Sequence, residues 1–393
     1  MALIVQKFGG SSVADRERVF RAARLIAQAQ RAGDQVVAVV SAQGDTTDHL
    51  LGQAQSISPS PSPRELDALL ATGEQASAAL LCMALQTLGV PAVSLTGWQA
   101  GFCTDGRHTG AVIRRLEVGR IRRELAQGRV VVAAGFQGVD DSGDITTLGR
   151  GGSDTSAVAL ACALHASQCL IYTDVDGVYT ADPRRVQGAR RLKEISFAEM
   201  RELAAAGAQV LHGRSVELAH RHALPLTVLS SREPGPGTLV REDRGLEASA
   251  VTGVTADDRV SLLCMELTQA AAARSVLQRL ADGGVALQQV WQSAEELRLL
   301  IPDAAAAQAQ SLLEAVSAVH ACRLCGDVAC LSVVGSGLRS DAAALPRLLQ
   351  ALETVGQYPQ WLSAGETRIS VLIPRARVRQ AVQSVHEAFF PAA

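Results

Sequence analysis

The stretch TLGRGGSDTSAVALA, residues 147–161, places three glycines and four hydroxyl side chains directly before an alanine-rich apolar run. The pattern predicts a helix over 153–165 that begins next to a glycine-rich loop, where the backbone is not covered by side chains. Glycine lets backbone N–H groups approach an anion closely, and a helix start adds partial positive charge. KFGGSS, residues 7–12, is a second such turn and adds a lysine. Both loops are candidate phosphate sites, although neither fits GxxxxGK[ST] or GxGxxG.

Outward from these loops, the first half of the chain alternates short apolar runs with helical patterns. Strands are predicted at 3–5, 36–40, 90–95, 130–136, 169–175 and 224–230. Helices are predicted at 15–32, 117–127 and 153–165. This alternation of strands and helices predicts an α/β fold with a largely parallel sheet covered by helices on both faces. The proline-rich segment 56–63 is expected to be a surface connection inside this domain.

A change of composition predicts where the first domain ends. Two prolines, two glycines and a charge cluster occupy 230–243, so we expect one domain over 1–243 and a second region over 244–393. The second region has two similar βαββα units, about 259–325 and about 326–393, with the strand 251–258 added to the second unit. Paired modules of this kind often bind small effectors or dimerise.

Composition and charge narrow the class of protein. The chain has 393 residues, of which 48% are hydrophobic, and its formal net charge is −2. This charge argues against a broad surface for nucleic acid or anionic membranes, so small molecules and other subunits are the expected partners. We expect a cytoplasmic protein with reduced thiols, because no secretory segment follows Met1 and no apolar run of about 18 residues is evident.

A histidine and three cysteines lie close together in the second region, at His320, Cys322, Cys325 and Cys330. They could supply four zinc ligands. The favoured interpretation is that Cys322 and Cys330 are small apolar residues in two strands joined by a turn at Gly326-Asp327.

A third polar cluster, YTDVDGVYTADPR at 172–184, follows a predicted strand. It leaves the carboxyl end of that strand, where open α/β sheets bind their ligands. An ordinary loop rich in turn-forming residues is the alternative.

Together these segments resemble aspartate kinase, of the amino acid kinase superfamily. The matching motifs occur in order as KFGGSSV (7–13), SAQGDTTD (41–48), TGEQ (72–75), GFQGVDDSGDITTLGRGGSDTSA (135–157) and YTDVDGVYTADPR (172–184). The resemblance implies an amino acid kinase fold followed by two ACT-like ferredoxin-type α+β modules. It also implies ATP-dependent phosphorylation of the L-aspartate side chain to 4-phospho-L-aspartate, the entry step to lysine, threonine, methionine and diaminopimelate.

The resemblance assigns roles to residues at the motif positions. Lys7 and Asp154 would serve phosphoryl transfer. The aspartate pocket would be formed by Ser41, Thr47, Glu74, Arg150 and Ser153, with Arg150 on the α-carboxylate and Glu74 on the α-ammonium. The nucleotide would contact Lys7, Gly9, Gly10, Ser11, Thr173, Asp174, Tyr179, Arg184 and Gln209. Mg²⁺ would bridge ATP phosphate oxygens largely through water, so no protein metal site is expected.

The chain departs from the family pattern at GAQVLHGR, residues 207–214, where Gln209 replaces a lysine expected near the nucleotide phosphates. Arg214 is the candidate to compensate. The family's regulatory turns are replaced at 289–293 and 356–360, which predicts altered feedback by an amino-acid effector at the ACT interface. A homodimer through ACT pairing is expected. The alternatives are another amino acid kinase and a non-catalytic, effector-binding paralogue.

Overall fold

The structure is a computed structural model that describes residues 2–242, 251–314, 316, 319–359 and 361–391. The chain divides into two compact units. One unit consists of Met1–Val178, Arg191–Ala204 and Gln209–Leu246, and the other consists of Tyr179–Arg190, Ala205–Ala208 and Glu247–Ala393. The predicted boundary between 243 and 244 lies outside the described residues, and the division at that point stays a prediction.

The first unit is built on an eight-stranded sheet. In sequence order its strands are β1 (Leu3–Phe8), β2 (Gln35–Val40), β3 (Ala92–Leu95), β6 (Val130–Ala134), β9 (Gln168–Thr173), β10 (Glu194–Ser196), β11 (Leu226–Ser230) and β12 (Thr238–Arg241). Their spatial order is β10-β12-β11-β9-β1-β2-β6-β3. All neighbouring pairs are parallel except β11 with β12. The predicted largely parallel sheet is therefore confirmed.

Helices cover both faces of this sheet. Their bounds are α1 (Arg16–Arg31), α2 (Thr46–Ile57), α3 (Pro63–Thr87), α4 (Gly119–Ala126), α5 (Gly152–Leu164), α6 (Phe197–Ala205) and α7 (Gly213–Arg221). Asp15 caps α1 as predicted, because its side chain accepts the backbone N–H of Arg18 at 2.9 Å. The buried faces of α1 and α3 share one apolar cluster with the sheet, and α5 contacts β1, β2 and β9. Because helices bury both faces of the sheet, the sequences of these strands are continuous apolar runs.

The helix α3 is long and apolar enough, by length and composition, to cross a membrane. The sequence expectation that no such run exists is therefore corrected. Just over half of its apolar window is buried inside the protein, and its buried positions include Asp67 and Glu74. We assign α3 to the protein interior, since two buried carboxylates suit a core helix that serves a site.

A second, smaller sheet in the first unit was not predicted. Its strands are β4 (Phe102–Thr104), β5 (Ile113–Leu116), β7 (Gln137–Val139) and β8 (Ile145–Thr147), in the order β5-β4-β7-β8. Runs of three or four residues are too short to show a period, and most of them contain polar residues. This sheet matters because β8 leads directly into the glycine loop at 149–152.

The second unit contains a six-stranded antiparallel sheet in the order β14-β15-β13-β16-β18-β17. Its strands are β13 (Gly253–Leu267), β14 (Gln289–Gln292), β15 (Glu296–Pro302), β16 (Val319–Val334), β17 (Trp361–Ala364) and β18 (Arg368–Pro374). Its helices are α8 (Ala273–Asp282), α9 (Ala306–Glu314), α10 (Ala344–Glu353) and α11 (Val378–Phe389). Within this second unit, each of the two βαββα modules has an apolar cluster of its own. The strands β13 and β16 each run through both modules.

The predicted turn at Gly326-Asp327 is wrong. Both residues lie inside the continuous strand β16, and the pairing register with β13 shifts near Val260 and Leu262. A β-bulge therefore absorbs the Gly-Asp pair without reversing the chain. His320, Cys322, Cys325 and Cys330 all lie on this one strand. Within the described residues no three His, Cys, Asp or Glu side chains form a group that could hold a metal.

Candidate active site

The predicted catalytic residues meet in a buried ion pair. Lys7 lies near the carboxyl end of β1, and Asp154 lies in the first turn of α5. Lys7 Nζ is 2.6 Å from Asp154 Oδ1, and each side chain is 11% exposed. The positive end of the α5 dipole also favours the carboxylate. The structure thus brings together two residues that are far apart in sequence, at the edge of the sheet where parallel strands end.

The glycine loops around this pair leave no room for side chains. A Cβ added to Gly10 would lie 2.6 Å from the carbonyl oxygen of Ala42, and one added to Gly135 would lie 2.9 Å from Cβ of Ser153. Gly151 has φ +65° and would clash with the His212 ring if it carried a Cβ. The bare backbone of these loops therefore serves close packing as well as access to a ligand.

Glu74 presents a buried carboxylate beside the end of β2. Its Oε1 accepts the backbone N–H of Ala42 at 3.0 Å. Its Oε2 is buried and has no hydrogen-bond partner among the described residues. Burial raises the pKa of Glu74 to about 7, and the Ala42 hydrogen bond opposes this shift. A buried carboxylate with one unused oxygen is suited to accept a cationic group from a ligand.

The other predicted pocket residues lie around the same edge. Ser41 follows β2 and is half-buried, and Thr47 is half-buried in the first turn of α2. Ser153 is buried in the first turn of α5. Arg150 is exposed. Burial lowers the pKa of His212, and the positive charge of Arg150 lowers it further.

The predicted nucleotide residues are divided between the two units. Gly9, Gly10 and Ser11 lie between β1 and α1, and the Gly9 N–H donates to the carbonyl of Tyr172 at 3.2 Å. Thr173 ends β9, and its hydroxyl donates to Asp174 Oδ1 at 3.1 Å. Gln209 is exposed before α7.

Tyr179 and Arg184 belong to the second unit. There the Arg184 guanidinium is bidentate to the Asp182 carboxylate, with Nε 3.0 Å from Oδ1 and Nη2 3.1 Å from Oδ2.

Arg214, the candidate to compensate for the missing lysine at position 209, contacts two backbone carbonyls. Its Nη1 donates to the carbonyl of Leu148 at 2.9 Å, and its Nη2 donates to the carbonyl of Ala111 at 2.9 Å. Burial lowers the pKa of this guanidinium. Arg214 therefore holds the backbone of two loops, and its role beside the nucleotide phosphates stays a prediction.

Two family models and a full-length relative match this chain. A sequence model described as the amino acid kinase family matches residues 2–230, and an ACT domain model matches residues 331–389. The aspartokinase of Mycolicibacterium smegmatis is 44% identical over 406 aligned positions, which cover 99% of this chain and 96% of that protein. The chain belongs to the aspartokinases.

Solved aspartokinases share the fold over the full length of the chain. E. coli aspartokinase III in complex with aspartate and ADP, in the R-state, matches with a TM-score of 0.87 and 26% identity, over 99% of this chain and 100% of that one. The same E. coli enzyme in complex with lysine and aspartate, in the T-state, matches with a TM-score of 0.77, 26% identity and 99% coverage of both chains. Amino acid kinase and ACT architecture are thereby confirmed for this aspartokinase.

Sequence analysis missed several residues that shape the site. Asp67 is fully buried on α3, seven residues before Glu74, and a spacing of seven places both side chains on one helix face. That spacing was the available signal. His212 lies inside the quoted motif GAQVLHGR, yet its contact with Gly151 depends on folding. His108 Nδ1 lies 3.2 Å from Asp67 Oδ2, a contact that no sequence motif indicates.

We predict that Glu74→Gln stabilises the ligand-free protein at alkaline pH. The raised pKa of Glu74 means that folding favours its protonated form, so its contribution to stability is full below about 4.5 and is lost as pH rises through about 7. Glutamine avoids burying a charge. The melting temperature of the variant should exceed that of the parent most at pH 8, and the difference should vanish near pH 5.

Differential scanning fluorimetry between pH 5 and 8 measures this difference. Glu65→Gln is the matched control, because Glu65 is exposed on the same helix and should show no such pH dependence. A melting-temperature difference for Glu74→Gln that stays constant with pH would contradict the prediction.

Proposed function

We propose that this site transfers the γ-phosphoryl group of ATP to the side-chain carboxylate of L-aspartate, giving 4-phospho-L-aspartate and ADP. The observation that carries the proposal is the buried Lys7–Asp154 pair between two glycine loops, with the unused Glu74 oxygen on the same edge of the sheet. As an aspartokinase, the chain would supply the first step toward lysine, threonine, methionine and diaminopimelate.

The proposed chemistry needs positioning and charge neutralisation more than a strong base. The aspartate carboxylate already carries its nucleophilic oxygen, which attacks the γ-phosphorus while the β-phosphate oxygen of ADP leaves. Lys7 would neutralise charge on the phosphoryl group in transfer, and Asp154 would fix the Lys7 ammonium at its 2.6 Å contact. Backbone N–H groups of Gly9 and Gly10 and the Ser11 hydroxyl would complete the phosphate contacts.

Recognition of aspartate is proposed to rest on its two α-substituents. Glu74 would accept the α-ammonium on its unpartnered oxygen, and the Arg150 guanidinium would bind the α-carboxylate as a fork. Ser41, Thr47 and Ser153 would line the remaining pocket. Glutamate is one methylene longer, so with both ends held it would place its carboxylate away from the phosphate.

The nucleotide is proposed to lie beyond the end of β9, at Thr173 and Asp174, with Gln209 as a further contact; the assignment of Tyr179 and Arg184, which belong to the second unit, stays a prediction. Among the described residues no carboxylate cage for a metal is present. We propose that Mg²⁺ is held mainly by the ATP phosphates and by water, since Mg²⁺ keeps several water ligands in kinase sites.

A substrate panel tests the proposed reaction. Purified protein with ATP and Mg²⁺ should release ADP with aspartate and at most weakly with glutamate, N-acetylglutamate, carbamate or UMP. Hydroxylamine should trap the acyl phosphate formed with aspartate. ADP release with another acceptor would indicate a different amino acid kinase, and no release with any acceptor would indicate a non-catalytic paralogue.

We also propose that this aspartokinase is a cytoplasmic homodimer paired through its ACT modules, with an amino-acid effector at the ACT interface. The lysine complex of E. coli aspartokinase III supports an amino-acid effector. Because the regulatory turns at 289–293 and 356–360 depart from the family pattern, lysine and threonine should inhibit weakly. Light scattering that gives a monomer mass, or strong inhibition at sub-millimolar lysine or threonine, would contradict these points.

A further inference from the structure

One fully buried carboxylate lies outside the residues assigned above. Asp67 on α3 is 0% exposed and accepts four hydrogen bonds. Its Oδ2 accepts the backbone N–H groups of Thr147 and Thr109, each at 2.9 Å, and lies 3.2 Å from His108 Nδ1. Its Oδ1 accepts the Thr147 hydroxyl at 2.6 Å. Burial of a carboxylate costs free energy unless it is well satisfied, so this arrangement is a built anchor.

The anchor holds the segment that carries Arg150. Thr147 ends β8, and Arg150 follows three residues later in a glycine-rich loop. The neighbouring loop is fastened to the same place, because the Ala111 N–H donates to the Thr147 carbonyl at 2.8 Å. Arg214 then holds the carbonyls of Leu148 and Ala111. A loop with glycines at 149, 151 and 152 has little stiffness of its own, so its place depends on these contacts.

The helix α3 connects this anchor to Glu74. Seven helical residues rise about 10 Å, which places Asp67 and Glu74 on one face, two turns apart. One rigid element therefore carries Glu74 directly and fixes the start of the Arg150 loop through Asp67. The separation of the two groups proposed to bind the α-ammonium and the α-carboxylate is set by a single helix.

We propose that Asp67 is a positioning residue for aspartate recognition, which it controls through the Arg150 loop. The inference rests on the proposed function, in which Arg150 binds the α-carboxylate. A carboxylate suits this task because it can accept all four hydrogen bonds at once, whereas an amide offers only one oxygen. Asp67 acts through the Arg150 loop, so its loss should weaken aspartate binding and leave nucleotide binding in place.

Steady-state kinetics of full-length variants test the proposal. Asp67→Ala should raise the KM for aspartate about tenfold or more, because a small displacement of a binding group has large effects, while the KM for ATP stays within about twofold. Asp67→Asn should raise the aspartate KM less, about threefold. The asparagine oxygen still accepts the two N–H groups, and the asparagine amide can donate to the Thr147 hydroxyl. Thr147→Val, which keeps the backbone N–H, should also raise the aspartate KM about threefold.

Glu124→Gln is the matched control. Glu124 is 5% exposed on α4, and its oxygens lie 2.7 and 2.8 Å from Arg120 and Arg129. This change also replaces a buried carboxylate by an amide, so it should lower the melting temperature and leave both KM values unchanged. If Asp67→Ala does not fold, Asp67→Asn and Thr147→Val decide the question.

Arg150→Lys separates this inference from the proposed function. It should raise the aspartate KM and not the ATP KM, since one ammonium cannot replace a fork. If it does so while the Asp67 and Thr147 variants leave aspartate KM unchanged, or raise both KM values equally, the positioning role is overturned alone. If Arg150→Lys leaves the aspartate KM unchanged, the assignment of Arg150 is wrong and the positioning role falls with it.

Discussion

The contact between Lys7 Nζ and Asp154 Oδ1, 2.6 Å long and largely shielded from water, is the constraint on which the active site depends. Desolvation makes an isolated buried charge costly, so each partner needs the other in place. The pair fixes the end of β1, which leads into the loop at 9–12, against the first turn of α5, which follows the loop at 149–152. The backbone proposed to bind phosphate and the Lys7 ammonium thus lie at the same edge of the sheet.

The helix α3 places the second set of groups relative to that edge. Its Glu74 reaches the turn after β2, and its Asp67 reaches the end of β8. Both carboxylates are buried, yet they differ in how many hydrogen bonds their oxygens accept. Asp67 accepts four hydrogen bonds, whereas one oxygen of Glu74 has no partner among the described residues. A fully satisfied carboxylate suits a structural anchor, and a half-satisfied one suits ligand binding.

Sequence alone predicted the features that are local or periodic. The apolar run 36–40 indicated a strand buried on both faces, and Asp15 marked the start of α1, because each signal lies within a few residues. Features that depend on folding were missed or wrong. The contacts of Arg214 with two backbone carbonyls gave no signal, Asp67 gave none beyond its spacing from Glu74, and Gly326 suggested a turn although strand pairing absorbs it as a bulge.

Turnover of a Lys7→Met variant tests the central claim most directly. Methionine keeps much of the side-chain length and removes the charge, so phosphoryl transfer should fall by at least about a hundredfold, as it does when a preorganised electrostatic partner is lost. Circular dichroism should show a folded protein with a lower melting temperature, because Asp154 loses its partner, and ADP should still bind. Turnover within threefold of the parent, with aspartate and ATP saturating, would contradict the account.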